Sequence, residues 1–424
     1  MSFDTLTDVD IETARADYAA LLARGLALDI SRGKPSSEQL DLADALLALP
    51  GPGDFKAADG TDCRNYGGLT GLTELRAIFA DLLHVPTENL LALGNSSLNL
   101  MHEVVSQALH SPLPGAQRRW ADEEEIVFLC PVPGYDCHFA ICKRFGISMV
   151  PVPLTGHGPD MDVVEALVAA DPRVKGMWCV PKYSNPTGEI YSDEVVRRLA
   201  AMPTAAPDFR LLWDDAYAVH HLTPDRREVL PVLDECASAG NPDRAMVFGS
   251  TSKITHAGSG VAFFGSSQAN VSWLLDLMSK QTIGPDKINQ LRHVRFFGDS
   301  AGVHAHMDRH RALMAPRFET VDMVLREEVG SLGAVSWTRP SGGYFVSLYV
   351  PDGCASVVTR LAGRAGVALP PAGSAFPGGA DPRDRHIRIA PTHLPLGDLR
   401  EAMYVIAVCV RLAIADATEI TRAV

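Results

Sequence analysis

Between residues 89 and 264, short apolar runs alternate with segments of helical periodicity. Asn89–Leu93, Ile126–Cys130, Ser148–Leu154, Gly176–Val180, Leu211–Trp213, Met246–Phe248 and Val261–Phe264 read as strands. Helices are expected at Leu98–Leu109, before Phe145, at Met161–Ala169 and at Asp193–Met202. Strands this apolar are buried on both faces, and crossover helices join parallel neighbours, so the pattern predicts a mostly parallel sheet covered on both sides. Past Ser266 the chain becomes helical, with a long helix over Val303–Val329. Ala334–Arg339, Gly343–Val350, Val357–Gly363, His386–Ile389 and Leu396–Ala415 then form a second, smaller α/β unit. Upstream, one helix runs from about residue 5 to a glycine stop at Gly25, and another spans Gln39–Leu49 before Pro50-Gly-Pro-Gly53.

At 424 residues, with 46% apolar and 21% charged residues, the chain supports two or three globular domains. A net charge of −13 argues against nucleic acid or an anionic membrane as general partners, but leaves room for a local cationic pocket. The eight cysteines form no CxxC pair, as expected for reduced thiols, with Cys137 and Cys142 the one spacing that reads alternatively as redox or metal-binding. The acidic first ten residues lack a basic n-region and an apolar core, and no apolar run reaches membrane-spanning length. A cytoplasmic location is expected.

Ligands of open α/β sheets collect outside the carboxyl ends of the strands, so the residues following each run are the candidate site. Gly94-Asn95-Ser96-Ser97 offers N–H groups and hydroxyls at a helix start: a phosphate cradle, or a plain serine N-cap. Gly134-Tyr135 brings an aromatic face that stacks on a planar ring or fills core. Tyr183-Ser-Asn185-Pro-Thr-Gly188 is a turn whose asparagine amide suits a phenolate or carbonyl oxygen. Asp214-Asp-Ala-Tyr217 supplies a carboxylate for a protonated ring nitrogen and a phenol; with His220 and His221 it reads alternatively as a metal site. Ser250-Thr-Ser-Lys253 ends the next strand, and Lys253 is the sole lysine or arginine between Arg244 and Lys280. Such a lysine is a carbonyl-capturing amine beside anion-gripping hydroxyls, or a solvated surface residue.

Taken together and in this order, Tyr183-Ser-Asn-Pro-Thr-Gly188, Asp214-Asp-Ala-Tyr217 and Ser250-Thr-Ser-Lys253 resemble class I aminotransferases of fold type I, specifically the actinobacterial-type aspartate aminotransferase subgroup. The likeness runs from Ser31-Arg-Gly-Lys-Pro35 to Arg388-Ile-Ala-Pro391. It implies the pyridoxal-phosphate-dependent transferase fold: an N-terminal arm and part of a small domain in 1–60, a large domain with a seven-stranded, mostly parallel sheet in 61–300, and a small domain in 301–424. It also implies pyridoxal 5'-phosphate as cofactor, no metal, amino transfer from L-aspartate to 2-oxoglutarate, and a homodimer with shared active sites.

By the same likeness, Lys253 bonds the cofactor and moves the proton. Asp214 pairs with the ring nitrogen, Asn185 and Tyr217 with the ring oxygen, and Tyr135 stacks on the ring. Asn95, Ser96, Ser97 and Ser250 hold the phosphate, which Tyr66 reaches from the partner subunit. Arg388 clamps the substrate α-carboxylate beside Asn185, and Gly33 lines the pocket. Two departures stand out. Ala257-Gly-Ser-Gly-Val261 lacks the arginine usual after the lysine, leaving the hydroxyls and helix terminus, or Lys287, as phosphate partners. No arginine matches the usual distal-carboxylate contact, for which Lys280, Arg32 and Lys34 are candidates. The alternatives are an aromatic or kynurenine-type aminotransferase, a cofactor-dependent lyase, and a non-enzymatic amino-acid sensor fused to a DNA-binding module. The acidic charge and the lack of a basic helix-turn-helix in the first 60 residues weigh against the sensor.

Overall fold

A computed structural model describes residues 10–423, and the side chains of residues 10–418. Its large sheet contains β1 (Leu90–Leu93), β2 (Val127–Val132), β3 (Ser148–Pro153), β4 (Val174–Cys179), β5 (Arg210–Asp214), β6 (Ala245–Ser250) and β7 (Ala262–Gly265). The strand order is β1-β7-β6-β5-β4-β2-β3. All neighbours are parallel except β7, which runs antiparallel to both β1 and β6. Alternate residues of a strand point to opposite faces, and here both faces are apolar. Leu211, Trp213, Val247 and Phe263 join one buried cluster; Leu212, Met246, Phe248 and Phe264 join the other. That is why the strands read as unbroken apolar runs.

A second core unites the two ends of the chain. Leu21 and Ile30 are buried with residues of Val346–Tyr349, His386–Ile389 and Leu396–Ala423. Leu28–Asp29 pairs in parallel with Val367–Ala368. The helix Ser300–Val329 belongs to both units: Val303 and Met307 pack in the large core, Met314 to Val329 in the small one.

Two sequence expectations need correction. The helix expected over Gln39–Leu49 is two short pieces, Ser37–Asp41 and a 3-10 turn Asp44–Ala48, divided at Ala43, whose backbone leaves the helical region. The piece is fixed instead by a capping box between Ser36 and Gln39, with the Gln39 side chain buried. The first helix spans Ile11–Leu22, capped by Asp10, and its expected start at residue 5 lies outside the described residues. No described helix is long and apolar enough to cross a membrane.

Candidate active site

The carboxyl ends of β1, β2, β4, β5 and β6 bring the predicted residues to one edge of the sheet. Lys253 follows β6 in a single tight turn, in which Ile254 and Thr255 both donate backbone N–H bonds to Thr251 O. Thr251 closes that turn onto β7: its N–H reaches Val261 O at 2.8 Å, and its Oγ1 accepts Val261 N–H at 2.9 Å. Lys253 Nζ lies 5.1 Å from the Tyr217 ring centroid. Burial lowers the lysine pKa, opposed by attraction from Asp214 and Cys137. Burial, with repulsion from Asp214, pushes the Tyr217 phenol well up, so at neutral pH it remains an O–H donor.

Asp214 ends β5 with 4% of its surface exposed. His138 Nε2–H donates to its Oδ2 at 3.0 Å, while Oδ1 is buried without a partner. His138 is itself held by stacking on Trp178, ring centroids 4.3 Å apart and planes 8° from parallel. A buried acceptor left unbonded costs about 1–3 kcal/mol, so this oxygen suits a ligand N–H. Asn185 Oδ1 is likewise buried and unpaired. Tyr135 stands edge-on to His138, its phenol raised by burial.

Ser96 is the N-cap residue of the helix Ser97–His110, but its side chain makes no capping bond. The plain N-cap reading therefore fails, and the first-turn N–H groups stay available beside exposed Asn95. Ser252 Oγ donates to Asn95 O at 3.2 Å, tying the lysine turn to this loop. Next to it a cavity of about 390 Å³ is lined by Asn95, Gly258, Ser259, Gly260 and Arg292. Arg292 Nε donates to Leu49 O. Lys287, the sequence alternative as phosphate partner, is engaged elsewhere. Its buried ammonium donates to Asn65 O at 2.8 Å and Gly67 O at 2.6 Å, anchoring the loop that carries Tyr66. Tyr66 is 82% exposed.

Arg388, on the small-domain strand His386–Ile389, is 8% exposed and sits over the Phe345 ring. Its Nη1 pairs with Asp136 at 3.1 Å, while its Nε has no partner. Gly33 lies against the Phe345 ring: an added Cβ would come within 2.6 Å of Phe345 Cζ and displace that ring. Of the distal-carboxylate candidates, Lys280 is bound to Asp276, whereas the charges of Arg32 and Arg388 both reach the Cys137 thiol.

The metal alternatives find no support. Asp214 faces His138, whereas burial raises the Asp215 carboxyl to about 6 against the pull of Lys182 and His84. Among the described residues, no group of three or more His, Cys, Asp or Glu is placed to hold a metal ion. Cys137 and Cys142 face different partners, the Tyr135 hydroxyl and Trp178 Nε1–H. Sequence reasoning missed His138 and Asp136. The signal for both was their position in the first helical turn after a ligand-facing strand end.

Known proteins were compared with this arrangement. A family model described as aspartate amino-transferase matches residues 1–420. A Mycolicibacterium smegmatis protein named as an aminotransferase is 54% identical, covering 98% of this chain and 99% of its own. The aspartate aminotransferase of Corynebacterium glutamicum is 50% identical, covering 98% of both chains. A solved aspartate transaminase structure from C. glutamicum superposes with a TM-score of 0.94, at 51% identity and 96% coverage of each chain. The chain is an aminotransferase and belongs to the aspartate aminotransferase family.

Proposed function

We propose that the chain transfers the amino group of L-aspartate to 2-oxoglutarate, giving oxaloacetate and L-glutamate, with pyridoxal 5'-phosphate held at the carboxyl edge of the sheet. The observation that carries this reading is the pairing of a buried, half-satisfied carboxylate, Asp214, with a lysine whose charge is disfavoured by burial. The cofactor, when bound, supplies an electron sink for the pair released at the substrate Cα. Asp214 Oδ1 is the free acceptor for the ring N–H, and His138 keeps that carboxylate oriented. The protonated Tyr217 phenol and the Asn185 side chain serve the ring oxygen, and Tyr135 covers the ring. Ser96, Ser97, Asn95 and Ser250 supply hydroxyl, amide and helix-terminus donors for the phosphate. Lys253 Nζ, whose charge burial disfavours, would take the proton from the substrate Cα and hand it to the cofactor's C4′ carbon within the same half-reaction, the reverse path serving the keto acid.

Arg388 binds the substrate α-carboxylate through its planar fork, which requires release of Asp136. The exposed Tyr66, set on a loop that Lys287 clamps, serves the phosphate of a second subunit, making the working unit a homodimer. The eight cysteines are all free thiols, seven of them buried, which supports a reducing, cytoplasmic location. Rates with aspartate, phenylalanine and alanine as donors test the substrate. Aspartate is expected to be fastest by kcat/KM, and a preference for phenylalanine would move the assignment to an aromatic enzyme. Release of ammonia or pyruvate without a keto acid would mark a lyase.

A further inference from the structure

The turn bearing Lys253 rests on a cage of buried histidines that no step above uses. His220 Nε2–H donates to Lys253 O at 3.1 Å, and Tyr344 OH approaches the same oxygen at 3.5 Å. His306 Nε2–H donates to Ile254 O at 2.7 Å. His310 Nε2 lies 3.0 Å from His306 Nε2, and its Nδ1 lies 3.1 Å from Gln39 Nε2. Because the Gln39 amide can only donate there, His310 carries its proton on Nε2, the edge it turns toward His306 and the Ile254 backbone. The same Gln39 amide reaches Tyr344 OH at 3.0 Å. Gln39, His306 and His310 are each under 5% exposed. Burial holds His220 and His310 down to about 3, so they act as neutral donors at working pH.

Gln39 is also tied to the substrate end. Its segment contains Gly33; Ile30 O accepts the Ala390 N–H just past Arg388, and Lys34 O accepts Thr392 Oγ1–H. We propose that Gln39, His310 and His306 are positioning residues, which fix the two carbonyls following the lysine and join its placement to the segment beside Arg388. This rests on the assignment of Lys253 as the proton-moving base. A misplacement of about 1 Å in such a base costs on the order of 100-fold in rate.

The test compares His306→Leu with His306→Gln, whose amide reproduces the Nε2–H donor, in pyridoxal-phosphate-loaded protein. His306→Leu is expected to lower kcat by roughly 10- to 100-fold with KM for aspartate within about twofold. The pH midpoint of its visible absorption band is expected to move by about half a unit or more, while His306→Gln recovers both. The titratable groups facing Lys253 are Asp214, Cys137 and Tyr217, whose ring lies 5.1 Å from Nζ, with His220 on its backbone carbonyl; none of these is altered by the substitutions. Wild-type values in His306→Leu, or equal losses in both variants with an unmoved midpoint, overturn the proposal. Should His306→Leu fail to fold, the near-isosteric Gln39→Leu decides: a several-fold loss of kcat with a displaced midpoint supports it, and wild-type behaviour overturns it. Wild-type protein without any band would instead overturn the underlying functional assignment.

Discussion

The two ends of the candidate site are built differently. At the ring end, Asp214, His138, Trp178 and the cage around Lys253 are buried, and each is fixed by named partners. At the phosphate end, Asn95 and the Ala257-Gly258 pair are exposed, the Ser96 hydroxyl makes no capping bond, and a cavity of about 390 Å³ adjoins them. The contrast matches the chemistry proposed for each end. Proton movement is sensitive to small displacements of the base, whereas a phosphate is satisfied by any convergent set of N–H and O–H donors at a helix start. In the homodimer proposed above, Tyr66 of the second subunit would reach this open end.

Substitutions at the two ends should therefore fail in different ways. Lys253→Ala is expected to lower kcat by roughly 10³-fold or more in steady-state assays, the loss of a positioned base. Asp214→Asn, the other ring-end change, should lower kcat by about 100- to 1,000-fold, comparable to removal of one preorganised electrostatic group. At the phosphate end, Ser96→Ala should weaken cofactor affinity by about 10- to 100-fold, measured by equilibrium dialysis, with activity recovering as pyridoxal phosphate is added. If Ser96→Ala instead behaved like Asp214→Asn, the two ends would not differ in kind. Asp136→Asn is the smallest expected effect. It removes the carboxylate that occupies Arg388, so KM for aspartate should fall by up to about fivefold, the scale of a solvent-accessible ion pair.

The cage adds a pH dependence. Burial depresses His220 and His310 from the ordinary 6.5 to about 3. For a base held neutral by folding, the unfolded chain binds more protons once pH drops below 6.5. Stability contributed by these residues is therefore full above about 6.5 and is lost as pH falls through the interval down to about 3. Denaturant midpoints at pH 7 and pH 4.5 should show this loss, and His310→Gln should make it shallower.

What could be read before the fold was known follows the same division. Lys253, Asp214 and Tyr217 each stand in a short motif at the end of an apolar run, so the strands and the places of these residues at their ends were legible together. The helix Ser300–Val329 was legible from its periodicity. By contrast, the links from Gln39 to His310 and from Lys287 to Asn65 join residues far apart in the chain, and no local pattern encodes them. Lys287 shows the hazard directly: a lysine near a glycine-rich turn reads as an anion partner, yet it binds backbone carbonyls. Gln39 read as one residue of a longer helix, and its buried role emerged only from the segments packed against it.

The central claim is that Lys253 is the amine that holds the cofactor and moves the proton. Borohydride treatment of the pyridoxal-phosphate-loaded protein, followed by peptide mass mapping, tests it most directly. The phosphopyridoxyl mass should appear on the peptide containing Lys253, and Lys253→Ala should carry none. An unlabelled Lys253 peptide, or a label on another lysine that persists in Lys253→Ala, would contradict the account.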